Sequence, residues 1–454
     1  ISILHAGIHF KKKSIIMESF ADISTLYNNT NNRNIEFLSS LYDNKTILYN
    51  SIKSLFSKYI DTSQIKNKKI LIKPNWVRHN IKDADKICLR THESLIIGTV
   101  KLVLEHGPNS IIIGDAPIQG CNWDKMINKT FINEINKLSL IYKTPIEIKD
   151  FRRVTFDPKL NNPQKEKRPL SEYIIFDLGE KSYLEPISTN KKNFRVTNYD
   201  PDRLAESHSK GVHKYCISKE LFEADVVISM PKIKTHQKAG ITCALKNLVG
   251  INGDKDYLPH HRIGGKERGG DCYPGKNIFR LWSEYLLDTA NRRQGKITYY
   301  FFSYAAAVFW KLTKPKKEHN LSAGWYGNDT TWRMVFDLNK IAKYGKKDGT
   351  LSEKPQRVIY SLCDGIIGGQ GDGPLNPAPL PLGILAFGDD SYLMDLIVGN
   401  IFRLNIDKIP LLKEAQKMVK DYSIYLNGKK ISIEDINDIS MEVIMPPGWT
   451  NYNK

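Results

Sequence analysis

The chain has 454 residues, 41% of them hydrophobic and 26% charged, which supplies a large core and excludes a disordered chain, because disorder pairs low hydrophobicity with high net charge. Its formal charge of +18 favours anionic partners, yet lysine is spread along the chain instead of being gathered into one stripe, which argues against a specific nucleic-acid surface. No apolar run reaches the roughly 18 residues of a membrane span, and none of the six cysteines forms a C-x-x-C pair, so neither a zinc ribbon nor an iron–sulfur cluster is legible.

Cysteine usage of this kind fits a reducing, cytoplasmic setting. At the start of the chain, Lys11 to Lys13 follow an apolar stretch, the wrong order for a signal peptide, and Met17 is a candidate start. Residues 1–66 are expected to be an N-terminal helical extension. Helices are predicted over 17–66 with an Asn-rich break from Asn28 to Asn34, and Leu48, Ile52, Leu55, Phe56 and Tyr59 have helical spacing. From residue 67 to 276 the pattern predicts the first part of an α/β core. Lys69 to Ile72 reads as a strand, Glu93 to His106 as a helix with Thr91 as N-cap and Gly107 as C-cap, and Ser110 to Ile113 as the next strand. Residues 151–215 are polar and proline-rich and read as an excursion, after which Asp225 to Ser229 returns to a buried strand.

Residues 277–350 read as a helical insertion. Within it Ile297 to Trp310 is apolar and aromatic, too short to span a bilayer, and expected to be a buried core helix; its alternative is a peripheral membrane contact through 297–310. Residues 351–454 complete the core, with strands at Arg357 to Leu362 and Gly383 to Phe387, and a C-terminal tail. The expected fold class is α/β: a mainly parallel sheet with helices on both faces, plus the N-terminal helices and the helical insertion.

Several of these strands end in short polar or glycine-rich motifs: Lys73-Pro74-Asn75, Gly114-Asp115, Pro231-Lys232-Ile233-Lys234-Thr235-His236, Asp364-Gly365 and Gly388-Asp389. Ligands of open α/β sheets sit outside the carboxyl ends of the strands, so these motifs are expected on one rim, although Asn, Asp and Gly also make plain turns. After the Lys/His motif, Thr242 is placed to cap a short helix beside Lys232, Lys234 and His236, with Lys246 and Asn247 following; a helix start among lysines is an anion site. The segment from Asn252 to Gly270 reads as a mobile loop over that site, carrying Asp254, His260 and His261. With His236 these residues have metal-ligand chemistry, but adjacent histidines diverge and no metal site is expected. The run Gly368 to Pro374 is followed by prolines, so it is not a dinucleotide loop, and it reads as a glycine-rich nest or turn at the site edge.

Taken together, Lys73-Pro74-Asn75, Gly114-Asp115, Pro231-Lys232-x-Lys234-Thr235-His236, Thr242-x-x-Leu245-Lys246-Asn247-Leu248-x-Gly250, Asp364-Gly365 and Gly371-x-Gly373-Pro374 resemble the ordered motifs of the domain-of-unknown-function family 362, and Asp395 matches a further acidic position. The resemblance runs from about residue 69 to 415. Many members carry a ferredoxin-like cluster domain, whose cysteines this chain lacks. Similar long forms without that domain occur among bacterial surface-polysaccharide genes. The leading expectation is an enzyme acting on an anionic small molecule such as a phosphorylated or nucleotide sugar. Lys232, Lys234 and Lys246 would neutralise it, and His236 would serve as acid or base. Asn75 and Asn247 would orient it, and Asp115, Asp364 or Asp395 would supply a carboxylate. Thr242, His260, Gly371 and Gly373 complete the expected binding set. A non-catalytic anion-binding or assembly protein is the second reading, and a metal or redox protein the third; no motif names a cofactor.

Overall fold

The computed structural model describes residues 18–27, 32–157, 162–189, 192–313, 323–449 and 452. The expected start region 1–17 lies outside them. The first element is a strand, β1 (Ser19–Thr25), where helix was expected. Its Phe20-Ala21-Asp22-Ile23 alternation is short, and only pairing with distant strands makes it extended. Helix α1 (Lys45–Phe56) follows, capped by the Asn44 side chain. Then come β2 (Lys69–Pro74), α2 (Glu93–Glu105), β3 (Ser110–Asp115), α3 (Lys129–Tyr142) and β4 (Ile146–Asp150). His92, not Thr91, caps α2; the Thr91 hydroxyl instead donates to the Met230 carbonyl.

The polar excursion folds into a small antiparallel sheet of Tyr173–Asp177, Val212–Ser218 and His208–Ser209. The chain returns as β5 (Val226–Met230), and after Pro231 runs on as β6 (Lys232–His236), which pairs with β7 (Gly240–Thr242). A single helical turn, α4 (Ala244–Asn247), precedes the helical insertion of α5 (Ile278–Asn291), α6 (Thr298–Leu312) and α7 (Thr331–Tyr344). The remaining elements are β8 (Val358–Asp372), β9 (Asn376–Leu380), β10 (Ile384–Gly388), α8 (Ser391–Ile401), α9 (Pro410–Met418), β11 (Tyr422–Leu426) and β12 (Lys429–Ile431).

The main sheet has the order β12-β11-β1-β10-β8-β5-β2-β3-β4, and β8, β5, β2, β3 and β4 form a parallel block. One expected strand departs from this: β10 runs antiparallel to both β8 and β1. The cause is that β8 turns back through β9, which pairs along its second half, before β10 pairs along its first half. The strands are apolar throughout because both faces are covered. Ile70, Ile72, Val226, Ile228 and Phe387 join α1, α2 and α3 in one core; Leu71, Val227, Cys363 and Ala386 join α7, α8 and α9 in the other.

Ile297 to Trp310 is helical but is not a buried core helix. In α6 only Ala306 is buried, while Ile297 is 87% and Tyr304 75% exposed. The helix packs on α5, where Ser283 donates to the Ala306 carbonyl, and α5 in turn buries Glu284 and Asp288 and exposes Phe279 and Trp282. Among the described residues no helix is long and apolar enough to cross a membrane.

Candidate functional site: a lysine-lined cavity

A cavity of about 640 Å³ lies at the carboxyl ends of β2 and β3 and beside β6. Its wall includes Asn75, Asp115, Lys234, His236, Thr242, Lys246, Asn247 and His260, eight residues that the sequence motifs single out. Parallel β2, β3 and β5 deliver them to one side, and β6 continues that edge.

The floor is a closed polar network. Asp115 accepts from the Lys73 amine at 2.8 Å and from the backbone N–H groups of Trp76 and Ala116 at 2.7 and 2.9 Å. Asn247 donates to the Lys73 carbonyl and the Ser229 hydroxyl, and its own oxygen accepts from Asn75 at 3.3 Å. A side chain at Gly250 would place its Cβ 1.7 Å from an Asp115 oxygen, so this glycine is required by close approach. Asp115 and Asn247 are thus held by the scaffold, while the Asn75 side-chain oxygen Oδ1, the Thr242 hydroxyl and the Gln119 side-chain amide nitrogen are buried at the cavity without partners among the described residues.

Above this floor is a basic wall of Lys234, Lys238, Lys246 and Lys255. Lys234 donates to the Leu89 and Pro374 carbonyls. Lys238, Lys246 and Lys255 stay partly accessible because they open on the cavity, and none pairs with a carboxylate among the described residues. Burial, and then repulsion from Lys255, Lys238 and Lys73, brings the Lys246 ammonium down to about 7. Burial brings Lys234 to about 7 and Lys238 and Lys255 to about 8.

The two cavity histidines hold opposite tautomers. His236 Nδ1 accepts from the N–H groups of Lys238 and Ala239 at 3.0 and 3.2 Å, so its proton sits on Nε2 and the ring is a donor. His260 Nδ1 lies 2.7 Å from the Leu258 carbonyl, which can only accept, so its Nε2 carries the free lone pair. Burial, with Lys246 next for His236 and Lys238 next for His260, pushes both well below the ordinary imidazole value and keeps them neutral at pH 7.

Other expected site residues lie elsewhere. Lys232 is fully buried and does not line the cavity; its amine meets Asp364 at 3.0 Å and the Tyr42 hydroxyl at 2.9 Å. Asp364 also accepts from Tyr42 and from the His92 N–H. It stands mid-strand because β8 continues to Asp372; the Asp-Gly pair is no strand end, and Gly365 is there to let Ile233 and Ile384 approach. Asp395 is buried beneath α4, where it accepts from the Leu245 N–H. Burial raises it to about 7. The N-cap of α4 is Cys243, not Thr242, so Asp395 occupies the helix start where an anion was expected. Gly371 and Gly373 pack against Thr235, the first through its carbonyl and the second by a contact a Cβ would fill, and it is Pro374 and Leu375 that reach the cavity. Asp389 ends the antiparallel β10 and accepts from the Phe20 N–H, away from the cavity. His261 is not in the cavity wall, and Asp254 pairs with Arg153.

Sequence reasoning missed Lys73, Lys238, Lys255 and Gln119. Lys73 stands in a quoted motif, Lys238 is two residues beyond His236, Gln119 follows Asp115 on the same strand-end loop, and Lys255 sits in the loop from 252 to 270. That loop is anchored: His261–Arg262 pairs with Phe194–Arg195, and Asp256 and Leu258 are buried.

A thylakoid-associated protein of Synechocystis sp. is 22% identical over 228 residues, 50% of this chain and 45% of that protein, so the match spans less than half of the relative. Two solved structures show faint likeness. One is a protein from Thermotoga maritima (9% identical, TM-score 0.33, 84% of this chain and 59% of that one). The other is the lactate racemase apoprotein from Thermoanaerobacterium thermosaccharolyticum (12%, TM-score 0.29, 78% and 55%); neither carries an argument about this site. Residues 178–399, which include Lys234, His236, Lys246, Asn247 and His260, match the family described as Domain of unknown function (DUF362).

Proposed function

We propose that the cavity binds an anionic small molecule, a phosphorylated or nucleotide sugar, and that the protein acts on it as an enzyme. The observation that carries this reading is the set of three cavity lysines, Lys238, Lys246 and Lys255, that no carboxylate of the described chain neutralises. Packing such charges together is unfavourable until a counter-charge arrives. The volume suits a small ligand. Phe156, Tyr199 and Tyr299 also line the cavity and offer aromatic side chains for a sugar ring or a base. In this reading the lysines hold the phosphate, His236 Nε2–H donates to a substrate oxygen, and His260 Nε2 takes the proton as general base. Calorimetry with inorganic phosphate and with UDP-glucose tests it. Saturable binding of at least one, weakened in Lys246→Gln, is expected; wild-type protein that binds neither would overturn it. A turnover role for His260 requires that His260→Gln lose activity on the bound sugar while keeping affinity.

A second reading concerns where the substrate sits. The aromatic pair α5–α6 exposes Trp282, Tyr300, Phe301 and Tyr304 near the exposed Lys296 and Lys311, and Gln294 and Tyr299 at its foot line the cavity. Aromatic and basic side chains on one helix pair suit the surface of an anionic bilayer, and the Synechocystis relative is described as thylakoid-associated. Flotation with vesicles containing an anionic lipid checks this: the protein is expected to float, and the Phe301→Ser/Tyr304→Ser double variant to remain behind.

A further inference from the structure

Behind the basic wall lies a second group of chemically active side chains. His261 comes from the short strand His261–Arg262, Cys272 from the following loop and Glu284 from α5. One ring nitrogen of His261, Sγ of Cys272 and a carboxylate oxygen of Glu284 all lie within 4.8 Å of one another, and all three residues are buried. His261 is 4% and Glu284 5% exposed; the buried Nδ1 of His261 has no hydrogen-bond partner among the described residues, and the Glu284 carboxylate is hydrogen-bonded to the Cys272 thiol. The other Glu284 oxygen accepts from the Gly264 N–H at 2.9 Å, which fixes the carboxylate.

We propose that His261, Cys272 and Glu284 bind one divalent transition-metal ion of the zinc(II) class. A buried imidazole nitrogen left unpartnered beside a thiol and a carboxylate is poorly explained as packing, because buried polar atoms are nearly always satisfied. Nitrogen, sulfur and oxygen ligands together are the donor set of borderline-soft ions such as zinc(II). The thiol binds as thiolate, its proton passing to solvent as the sulfur–metal bond forms. Three protein ligands leave a fourth position for water or a ligand group. Lys238, which lines the cavity, lies within electrostatic range of both Cys272 and His261, so the ion backs onto the cavity wall. The spacing of these ligands, 11 and 12 residues apart with a single cysteine, explains why no metal motif is legible.

The test uses the full chain purified without metal-affinity chromatography, stripped with a chelator and titrated with zinc(II) and with cobalt(II). One ion per chain is expected, with a thiolate-to-cobalt charge-transfer band and a zinc-dependent rise in melting temperature. Cys272→Ser is expected to abolish the band, and Glu284→Gln to weaken zinc binding roughly tenfold or more with unchanged circular dichroism, while Cys121→Ser changes nothing. Wild-type protein with no cobalt band and no zinc-dependent melting shift overturns the proposal, whatever the variants do. So does a band that survives Cys272→Ser, or one unaltered by Glu284→Gln.

Discussion

Lys232 and Lys246 stand in one motif region, and both amines are withdrawn from bulk water, yet the chain treats them oppositely. Lys232 meets Asp364 and the Tyr42 hydroxyl, and Asp364 is further held by Tyr42 and the His92 N–H. The set is closed, with every charge answered inside the chain. Lys246 looks into a cavity beside Lys238 and Lys255 and has no carboxylate or hydrogen-bond partner among the described residues. A buried cation whose counter-charge is built in is scaffold, and one whose counter-charge must be brought is a binding device.

The comparison breaks most readily at Asp364. Asp364→Ala leaves Lys232 buried and unpaired, and removing one member of a buried ion pair costs about 3–5 kcal/mol. A large fall in the urea midpoint is therefore expected, while Lys246→Ala, which removes a buried cation repelled by its neighbours, should leave the midpoint unchanged or raise it. Equal midpoints for the two variants would mean that both lysines are scaffold, or that neither is.

The reciprocal experiment reads binding. Lys246→Gln removes the charge and leaves a polar side chain one atom shorter, and a charge-assisted hydrogen bond is worth about 1.5–3 kcal/mol, so the anion dissociation constant should rise about 10- to 100-fold. Calorimetry measures it, with the melting temperature as control. A neighbouring lysine that fully replaces Lys246 would leave the constant unchanged and would spread the device over the whole wall.

Much of this was legible before the fold was known. The Lys73-Pro74-Asn75, Gly114-Asp115 and Lys234-to-Asn247 segments follow apolar strands, and parallel pairing brings strand ends together; this is local patterning read through a general topological rule. What was not legible is partnering. Lys232 and Lys234 are two residues apart on one strand, and nothing local says that one amine finds Asp364 and Tyr42 while the other finds the Leu89 and Pro374 carbonyls. Asp364-Gly365 looked like a strand end because the glycines after it suggest a turn; they serve the close packing of β6 on β8 instead. β1 escaped notice because its extended form comes from partners hundreds of residues away, Ile384–Gly388 and Tyr422–Leu426. The aromatic α6 was expected inside because apolar sequence argues burial, but it packs on α5 and leaves Tyr300, Phe301 and Tyr304 exposed.

The floor of the cavity offers a smaller perturbation. Gly250→Ala would drive a Cβ to 1.7 Å from the Asp115 carboxylate and 2.8 Å from the Lys73 amine. Overpacking of this kind costs about 1–3 kcal/mol. It should loosen the Lys73–Asp115 pair without touching the Lys232–Asp364 pair, so a stability loss together with weaker anion binding is expected. A variant as stable as wild type would show that the floor yields easily and is not a rigid part of the site.

The finest separation of the two lysine environments is by pH. In the free protein Lys246 titrates near 7 because burial and three neighbouring lysines disfavour its charge, far below the unfolded lysine value of about 10.4. Between those two values the unfolded chain binds more protons than the folded one, so the stability of the ligand-free protein should rise as pH increases from about 7 towards 10. A bound anion reverses the sign. It favours the ammonium and raises the lysine's value, so binding is strongest where the amine is already charged, below about 7, and weakens above it because a proton must be taken up. For one lysine titrating near 7 the expected loss of affinity between pH 6 and 8 is about tenfold, close to 1.4 kcal/mol. Sulfate is a suitable probe, since its own charge does not change over this range. In Lys246→Gln the slope should flatten, leaving the shares of Lys234, which also titrates near 7, and of Lys238 and Lys255, which titrate near 8. A wild-type affinity that is flat from pH 6 to 8, or that rises, would show that the cavity lysines do not lose charge over this range, and the distinction between the two lysines would fall.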